Sequence, residues 1–191
     1  IALRQPGMDW TSTSDDKRVF VSMPAAGEVA VVDAEKFQVL LNIPAGENPL
    51  RVALQPDERY LWVGNNAVSE GASGVTVIDT QSMKVLSFLH TGTGHHEIAF
   101  SKDSRFAFVS SRDAGTVDVF DVATLTRSKT LKTGAHPLSL AYSPLSEAVY
   151  VADGQDGSVT VIDARSLDVR NVIASQPGLG PMSFSEDGRY G

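Results

Sequence analysis

An all-β protein built from a repeated four-strand unit is the fold this sequence predicts, on three observations. Asp residues close equivalent apolar runs at Asp33, Asp79, Asp121 and Asp163, at spacings of 46, 42 and 42 residues. Each repeat resolves into short runs rich in β-branched and aromatic residues, separated by turn signals and without a 3.6-residue stripe. The runs are also apolar on both faces: in Val159-Thr160-Val161-Ile162 one face is Val/Val and the other Thr/Ile. A sheet with one wet face alternates apolar and polar, whereas a sheet stacked between two like sheets need not. Four short antiparallel strands in about 42 residues, stacked on both faces, is the pattern of β-propeller blades. The expected organisation is four four-stranded blades (about 7–46, 47–92, 93–134 and 135–177) and a partial fifth (178–191), as a fragment of a larger propeller.

Within each repeat the first run is strand A (51–54, 97–100, 139–142, 181–184). A turn follows at Asp16, Asp57, Asp103, Leu145 and Asp187, where Pro and Asp favour a tight reversal. Strand B is expected at 19–22, 60–63, 106–109 and 149–152. Strand C is expected at 29–32, 75–78, 117–120 and 159–162, and strand D at 38–43, 85–89, 128–131 and 169–173. From each closing Asp to the next A–B turn the distance is always 24 residues, so length variation is confined to the other half of the repeat. It falls largely in one B–C loop, 65–74, which is four residues longer than its counterparts. The closing Asp residues start the C–D turns, where a carboxylate accepts backbone N–H groups two residues on; we read all four as structural.

Composition narrows the function. The chain of 191 residues carries 42% hydrophobic and 20% charged residues, which is globular rather than disordered. A net charge of -7 argues against nucleic acid as a partner, since phosphate binding needs a basic face. With no cysteine there are no disulfides, thiolate metal sites, iron–sulfur clusters or covalent c-type haem attachment. No apolar run approaches the roughly 20 residues that span a bilayer, and no signal peptide is visible. The chain starts at Ile1 and stops where a strand is expected. Self-association or further blades are therefore expected to complete the ring.

Tyr150-Val-Ala-Asp153 followed by Gly157-Ser-Val-Thr-Val-Ile-Asp163 resembles the YVTN-type β-propeller repeat. Phe108-Val-Ser-Ser111 with Gly115-Thr-Val-Asp-Val-Phe-Asp121 is a second copy, and Leu61-Trp-Val-Gly-Asn65 with Gly74-Val-Thr-Val-Ile-Asp79 a third. No Trp-Asp pair closes a repeat, which separates the pattern from WD40. The resemblance covers nearly the whole chain. It implies a surface-layer or periplasmic propeller related to the d1-haem domain of cytochrome cd1 nitrite reductase, and hence a periplasmic or extracellular location.

Chemistry is expected on the rim formed by the D–A and B–C loops. Three of the four histidines fall there: His95 and His96 in one D–A loop, beside Glu97, and His136 in the next. Arg51 occupies the equivalent segment, Asp9 and Trp10 the one before, and Arg112 lies in a B–C loop. Aligned by repeat, His96 matches Asp9, and Glu97 matches Trp10 and Arg51, so these positions are expected to surround the channel mouth. Such a set suits an anion, a metal ion bound through His96 and Glu97, or a planar cofactor. Neighbouring residues on a strand point opposite ways, so His95 and His96 are not expected to chelate together. No nucleophile elbow, Walker loop, HExxH or EF-hand motif is present, and no catalytic residue is assigned.

The expected function is a non-catalytic scaffold presenting a protein-partner or small-ligand site on this rim. The resemblance adds two alternatives: a periplasmic oxidoreductase domain holding d1-type haem through a rim histidine, and a lactonase-like hydrolase using metal-bound carboxylates.

Overall fold

The computed structural model describes residues 1–67 and 71–185. The centre of the long B–C loop and the turn at Asp187 lie outside these residues. Among the described residues, sixteen strands form four four-stranded antiparallel sheets, each in simple meander order, as a β-propeller requires. The helical content among them is one 3-10 turn, Pro24–Ala26.

The chain divides into two compact units, Ile1–His90 and Thr91–Gly191. The first holds blade 1, made of β1 (Trp10–Ser12), β2 (Arg18–Met23), β3 (Glu28–Asp33) and β4 (Gln38–Pro44). Blade 2 follows with β5 (Pro49–Leu54), β6 (Tyr60–Asn65), β7 (Gly74–Asp79) and β8 (Lys84–His90). The second unit holds blade 3, made of β9 (Ile98–Phe100), β10 (Phe106–Ser111), β11 (Thr116–Asp121) and β12 (Thr126–Lys132). Its blade 4 is β13 (Pro137–Ser143), β14 (Ala148–Asp153), β15 (Ser158–Asp163) and β16 (Val169–Ala174).

Two-faced apolar strands are explained by how blades stack within each unit. In the first, Phe20, Val29, Val31 and Ile43 of blade 1 pack on Val52, Leu61, Val63 and Ile78 of blade 2. The opposite face of blade 1 is apolar too, with Met23, Ala30 and Val32 buried under Leu3, Val19 and Val21. In the second unit, Phe106, Phe108, Val117 and Val119 of blade 3 meet Leu140, Val149, Val151 and Ile162 of blade 4.

The C–D turns follow one plan. Oδ1 of Asp33 accepts the amides of Glu35 and Lys36, and that of Asp163 the amides of Arg165 and Ser166, at 2.8–3.0 Å. Asp79 and Asp121 accept from the amides of Ser82 and Thr124 in the same way. The turn then takes positive φ at Phe37, Met83, Leu125 and Leu167, all between 52° and 57°. These residues are large and apolar although positive φ disfavours them. At Met83 and Leu167 the reason is packing, since both side chains cover a core cluster. Phe37 is 69% exposed. Each C–D ladder also slips once, at Val31/Val32, Val77/Ile78, Val119/Phe120 and Val161/Ile162. A bulge repeated on the outer strand twists that edge and blunts its pairing with other chains.

Two sequence expectations are corrected. The turn carboxylate of blade 1 is Asp15, not Asp16: its Oδ1 accepts the amide of Lys17, as Asp57 and Asp103 accept those of Arg59 and Arg105. Asp16 instead takes positive φ, as Glu58 and Ser104 do one residue after their turn carboxylates. Residues 181–184 form no strand. Strand A pairs only with strand B, and the next B would come from beyond the described residues. The segment still docks on blade 4: the Met182 amide donates to Ser139 Oγ at 2.9 Å, and Phe184 meets the Tyr150 ring edge-on at 4.9 Å.

Candidate functional site

The shift at Asp15 carries through blade 1 to its rim. Trp10 pairs with Val21, as Val52 pairs with Val63 and Ile98 with Val109. Trp10 therefore shares its repeat position with Val52 and Ile98, and Asp9 shares that of Arg51, Glu97 and Ser139. The expected match of Asp9 with His96, and of Trp10 with Glu97, is one residue out. The cause is the A–B turn, whose carboxylate is the first of the Asp15-Asp16 pair. Trp10 is 66% exposed.

In the first unit the structure brings Asp9 and Arg51 together. The carboxylate of Asp9 accepts the Val52 amide at 2.9 Å and lies 3.4 Å from the Arg51 guanidinium. Ser22 Oγ accepts the Asp9 amide at 3.1 Å and donates to the Leu50 carbonyl at 2.9 Å. Asp9 and Arg51 thus join blades 1 and 2.

In the second unit the D–A loop of blade 3 is stitched to its own B–C loop. The amides of Arg112 and Asp113 donate to the carbonyls of His95 and Thr93, both at 3.1 Å. Gly94, at φ 101°, is required here, because a Cβ would stand 2.6 Å from the Asp113 amide nitrogen. His95 and His96 point to different partners. His95 Nε2 lies 3.0 Å from Glu97 Oε1. His96 is 1% exposed, with Nδ1 2.7 Å from the Ser110 carbonyl and Nε2 3.4 Å from Thr91 Oγ1. A carbonyl only accepts, so Nδ1 donates to Ser110. His96 and Glu97, expected to share a metal, thus hold different partners. Among the described residues no three His, Cys, Asp or Glu side chains converge as a metal site.

His136 is exposed and takes positive φ (59°) at the position held by Asn48 and Gly94 in the preceding loops. With Arg112, Lys132, Thr133, Gly134 and Gln155 it lines a cleft of about 430 Å³ between blades 3 and 4. Arg112 Nε donates to Asp113 Oδ1 at 3.1 Å. Lys132 and Gln155 were not singled out from sequence. Lys132 closes a D strand and Gln155 sits in a Gly-bearing hairpin, and neither type nor spacing marks them.

Beneath this rim lies a buried polar pair that recurs. Asn65 Oδ1 accepts from Thr76 Oγ1 at 2.9 Å, and Asp153 Oδ2 accepts from Thr160 Oγ1 at 2.7 Å. Asn65 Nδ2 also donates to the carbonyls of Ala45 and Glu47, holding the D–A loop to strand B. Burial pushes the Asp153 carboxyl above the usual carboxylate range, and the Thr160 hydroxyl bond opposes the shift. From sequence Asp153 reads as a hairpin residue; the structure buries it fully.

Comparison with known proteins gives a consistent picture. The sequence profile of the Cytochrome D1 heme domain family matches residues 66–180, more than half of the chain. Protein NirF of Pseudomonas aeruginosa is 31% identical over 118 residues, covering 62% of this chain and 29% of NirF. Antigen Lp49 of Leptospira interrogans is 29% identical over 109 residues, covering 52% of this chain and 24% of the antigen. The chain therefore spans less than a third of the length of these relatives. Among solved structures, Kuenenia stuttgartiensis hydrazine synthase superposes with a TM-score of 0.85 at 22% identity, over 99% of this chain and 55% of that one. A protein of unknown function from Desulfotomaculum acetoxidans superposes with a TM-score of 0.86 at 17% identity, over 98% and 62%. At these identities the structural likeness speaks for the fold.

Proposed function

Since the chain belongs to the Cytochrome D1 heme domain family, we propose that it is a non-catalytic binding module whose rim in Thr91–Gly191 receives the carboxylate-bearing edge of a d1-type haem. The observation that carries this reading is the cleft where exposed His136 meets Arg112 and Lys132. Two cations suit haem carboxylates, and an accessible imidazole suits haem iron. The profile match spans all three rim histidines.

The residues fit the group unequally. His136 and the partly exposed His95 can be reached from solvent. Glu97 beside His95 orients the ring, as a carboxylate does behind metal-binding histidines. Burial makes His96 a positioning residue that ties β10 to the D–A loop. When bound, the haem supplies an iron centre for electron transfer or ligand exchange. The chain's own part is to orient the macrocycle through the histidines and neutralise its acid groups through Arg112 and Lys132. The lactonase alternative needs converging carboxylates, which the described residues do not provide. A periplasmic or extracellular location forms part of this proposal. Among the described residues no helix is long and apolar enough to cross a membrane.

The test is titration of the purified chain with d1-type haem, followed by visible absorption. The expected result is a band that shifts and saturates near one equivalent. His136→Ala should alter the band, and Arg112→Ala with Lys132→Ala should weaken binding about tenfold or more. An unshifted spectrum, or binding indifferent to all of these changes, would overturn the reading.

A further inference from the structure

We propose that the opposite end of the second unit carries a separate site for a small aromatic carboxylate, in the cleft between the A–B turns of blades 3 and 4. The cleft measures about 600 Å³ and is lined by Lys102, Arg105, Phe106, Tyr142, Pro144 and Arg165 among others. Strand β9 runs from the histidine loop at one end to Ser101 at the other, so this site and the proposed haem cleft lie at opposite ends of the strands. The site stands independently of the haem reading.

The charges are arranged for an anion. Glu147 and Asp103 are both occupied within the protein. Glu147 pairs with Arg165, and Asp103 Oδ1 accepts from Ser101 Oγ at 2.6 Å and the Arg105 amide at 3.1 Å. Lys102 and Arg105 are exposed on this cleft, where the Arg105 charge also favours the ionised Asp103, although the chain as a whole carries a net charge of -7. The Arg105 guanidinium lies over the Phe106 ring, 4.9 Å from its centroid. Stacking restrains the planar fork, so less side-chain freedom is lost when a carboxylate binds it bidentately. Tyr142 and Pro144 supply flat apolar walls, and burial pushes the Tyr142 hydroxyl up, keeping it protonated.

The repeat shows that this cleft is particular to its blades. In the first unit the matching turn of blade 1 is engaged by blade 2, where Glu58 accepts the amide of Ser14. Two repeats on, at the corresponding turns of blades 3 and 4, Ser14 is replaced by Lys102 and Glu58 by Ser146. A short hydroxyl stands where a bridging carboxylate did, and a cation stands where an amide was capped. At the repeat position of Tyr142, blades 1, 2 and 3 carry Ser12, Leu54 and Phe100, so Tyr142 alone joins an aromatic ring to a hydroxyl there.

The experiment is calorimetric titration of the whole chain with benzoate, with benzamide and inorganic phosphate as controls. Benzoate should bind at least about tenfold more tightly than either control, because only it offers both a carboxylate and a ring. Lys102→Gln and Arg105→Gln, both surface changes, should each weaken benzoate about tenfold. Tyr142→Phe should weaken it less. Circular dichroism verifies that each variant keeps its β-sheet spectrum. Equal binding of benzamide or phosphate, no binding of benzoate, or unchanged benzoate affinity in the Lys102/Arg105 double variant would each refute the site.

Discussion

The carboxylate of Asp9 accepts the amide proton of Val52 at 2.9 Å, across the boundary between one blade and the next. Ser139 does the same for Met182 in the second unit, also at 2.9 Å. Asp9 and Ser139 share one repeat position, as do Val52 and Met182. Within each unit, therefore, a side chain at this position caps the amide that follows one repeat later, in addition to apolar stacking.

Replacing Asp9 with Ala should remove that bond and strand the Val52 amide. The expected loss is about 1–3 kcal/mol, because the acceptor is charged and the amide is part-buried. Arg51→Ala should cost less than Asp9→Ala, since solvent reaching its half-buried side chain screens the ion pair. Urea denaturation of the two variants checks the order, and equal losses would contradict it.

Asp153→Asn should raise stability at neutral pH. Asn65 already occupies the equivalent position and makes the same hydroxyl bond to its Thr, so the substitution keeps the geometry. The native carboxyl has a raised pKa, so it resists ionisation in the fold. The stability tied to holding that proton is present below the unfolded carboxylate value and is lost as pH rises through the folded one. The variant's advantage should thus grow through that window and vanish in acid. Urea midpoints of both proteins across pH 3–8, roughly the span that brackets carboxylate titration, would show it.

The turn carboxylates should act in the opposite sense. Backbone amides at Lys36, Ser82 and Ser166 are the main causes that hold Asp33, Asp79 and Asp163 below their usual pKa of 3.8. Their contribution is complete above the unfolded value and drains as pH falls through the lowered folded values. Asp163→Asn should therefore flatten the acid limb of the stability profile while leaving its shape near neutrality unchanged. An acid limb identical to wild type would show that the turn does not titrate.

Phe37→Gly and Leu167→Gly should separate, although both residues carry φ near 55°. Glycine relieves the same backbone strain at each. Exposed Phe37 gives up little packing, so its variant should stay within about 1 kcal/mol of wild type. Leu167 packs on the second-unit core, and its variant should lose about 1–3 kcal/mol. Thermal or urea unfolding measures both.

His96→Ala should destabilise by about 2 kcal/mol or more, through a cavity and an unpaired Ser110 carbonyl. His136→Ala should leave stability within about 0.5 kcal/mol, because its ring is exposed. The comparison distinguishes a histidine that holds the rim from one that is presented on it.

The sequence alone determined the blade architecture. A 42- or 46-residue period, strands apolar on both faces and an Asp at each C–D turn admit few other solutions, because stacked sheets need two apolar faces. Residues 19–22 and 29–32 fall within the observed β2 and β3, and the closing Asp residues cap their turns as expected. The site was legible as a set of loops but not as a set of contacts. A one-residue choice at Asp15-Asp16 decides whether Trp10 or Asp9 meets the next blade, since side chains alternate along a strand. Nothing in local sequence distinguishes His96, buried against Ser110, from His136, exposed beside Arg112 and Lys132. That difference arises from which loops the meander brings side by side, and only the packed structure decides it.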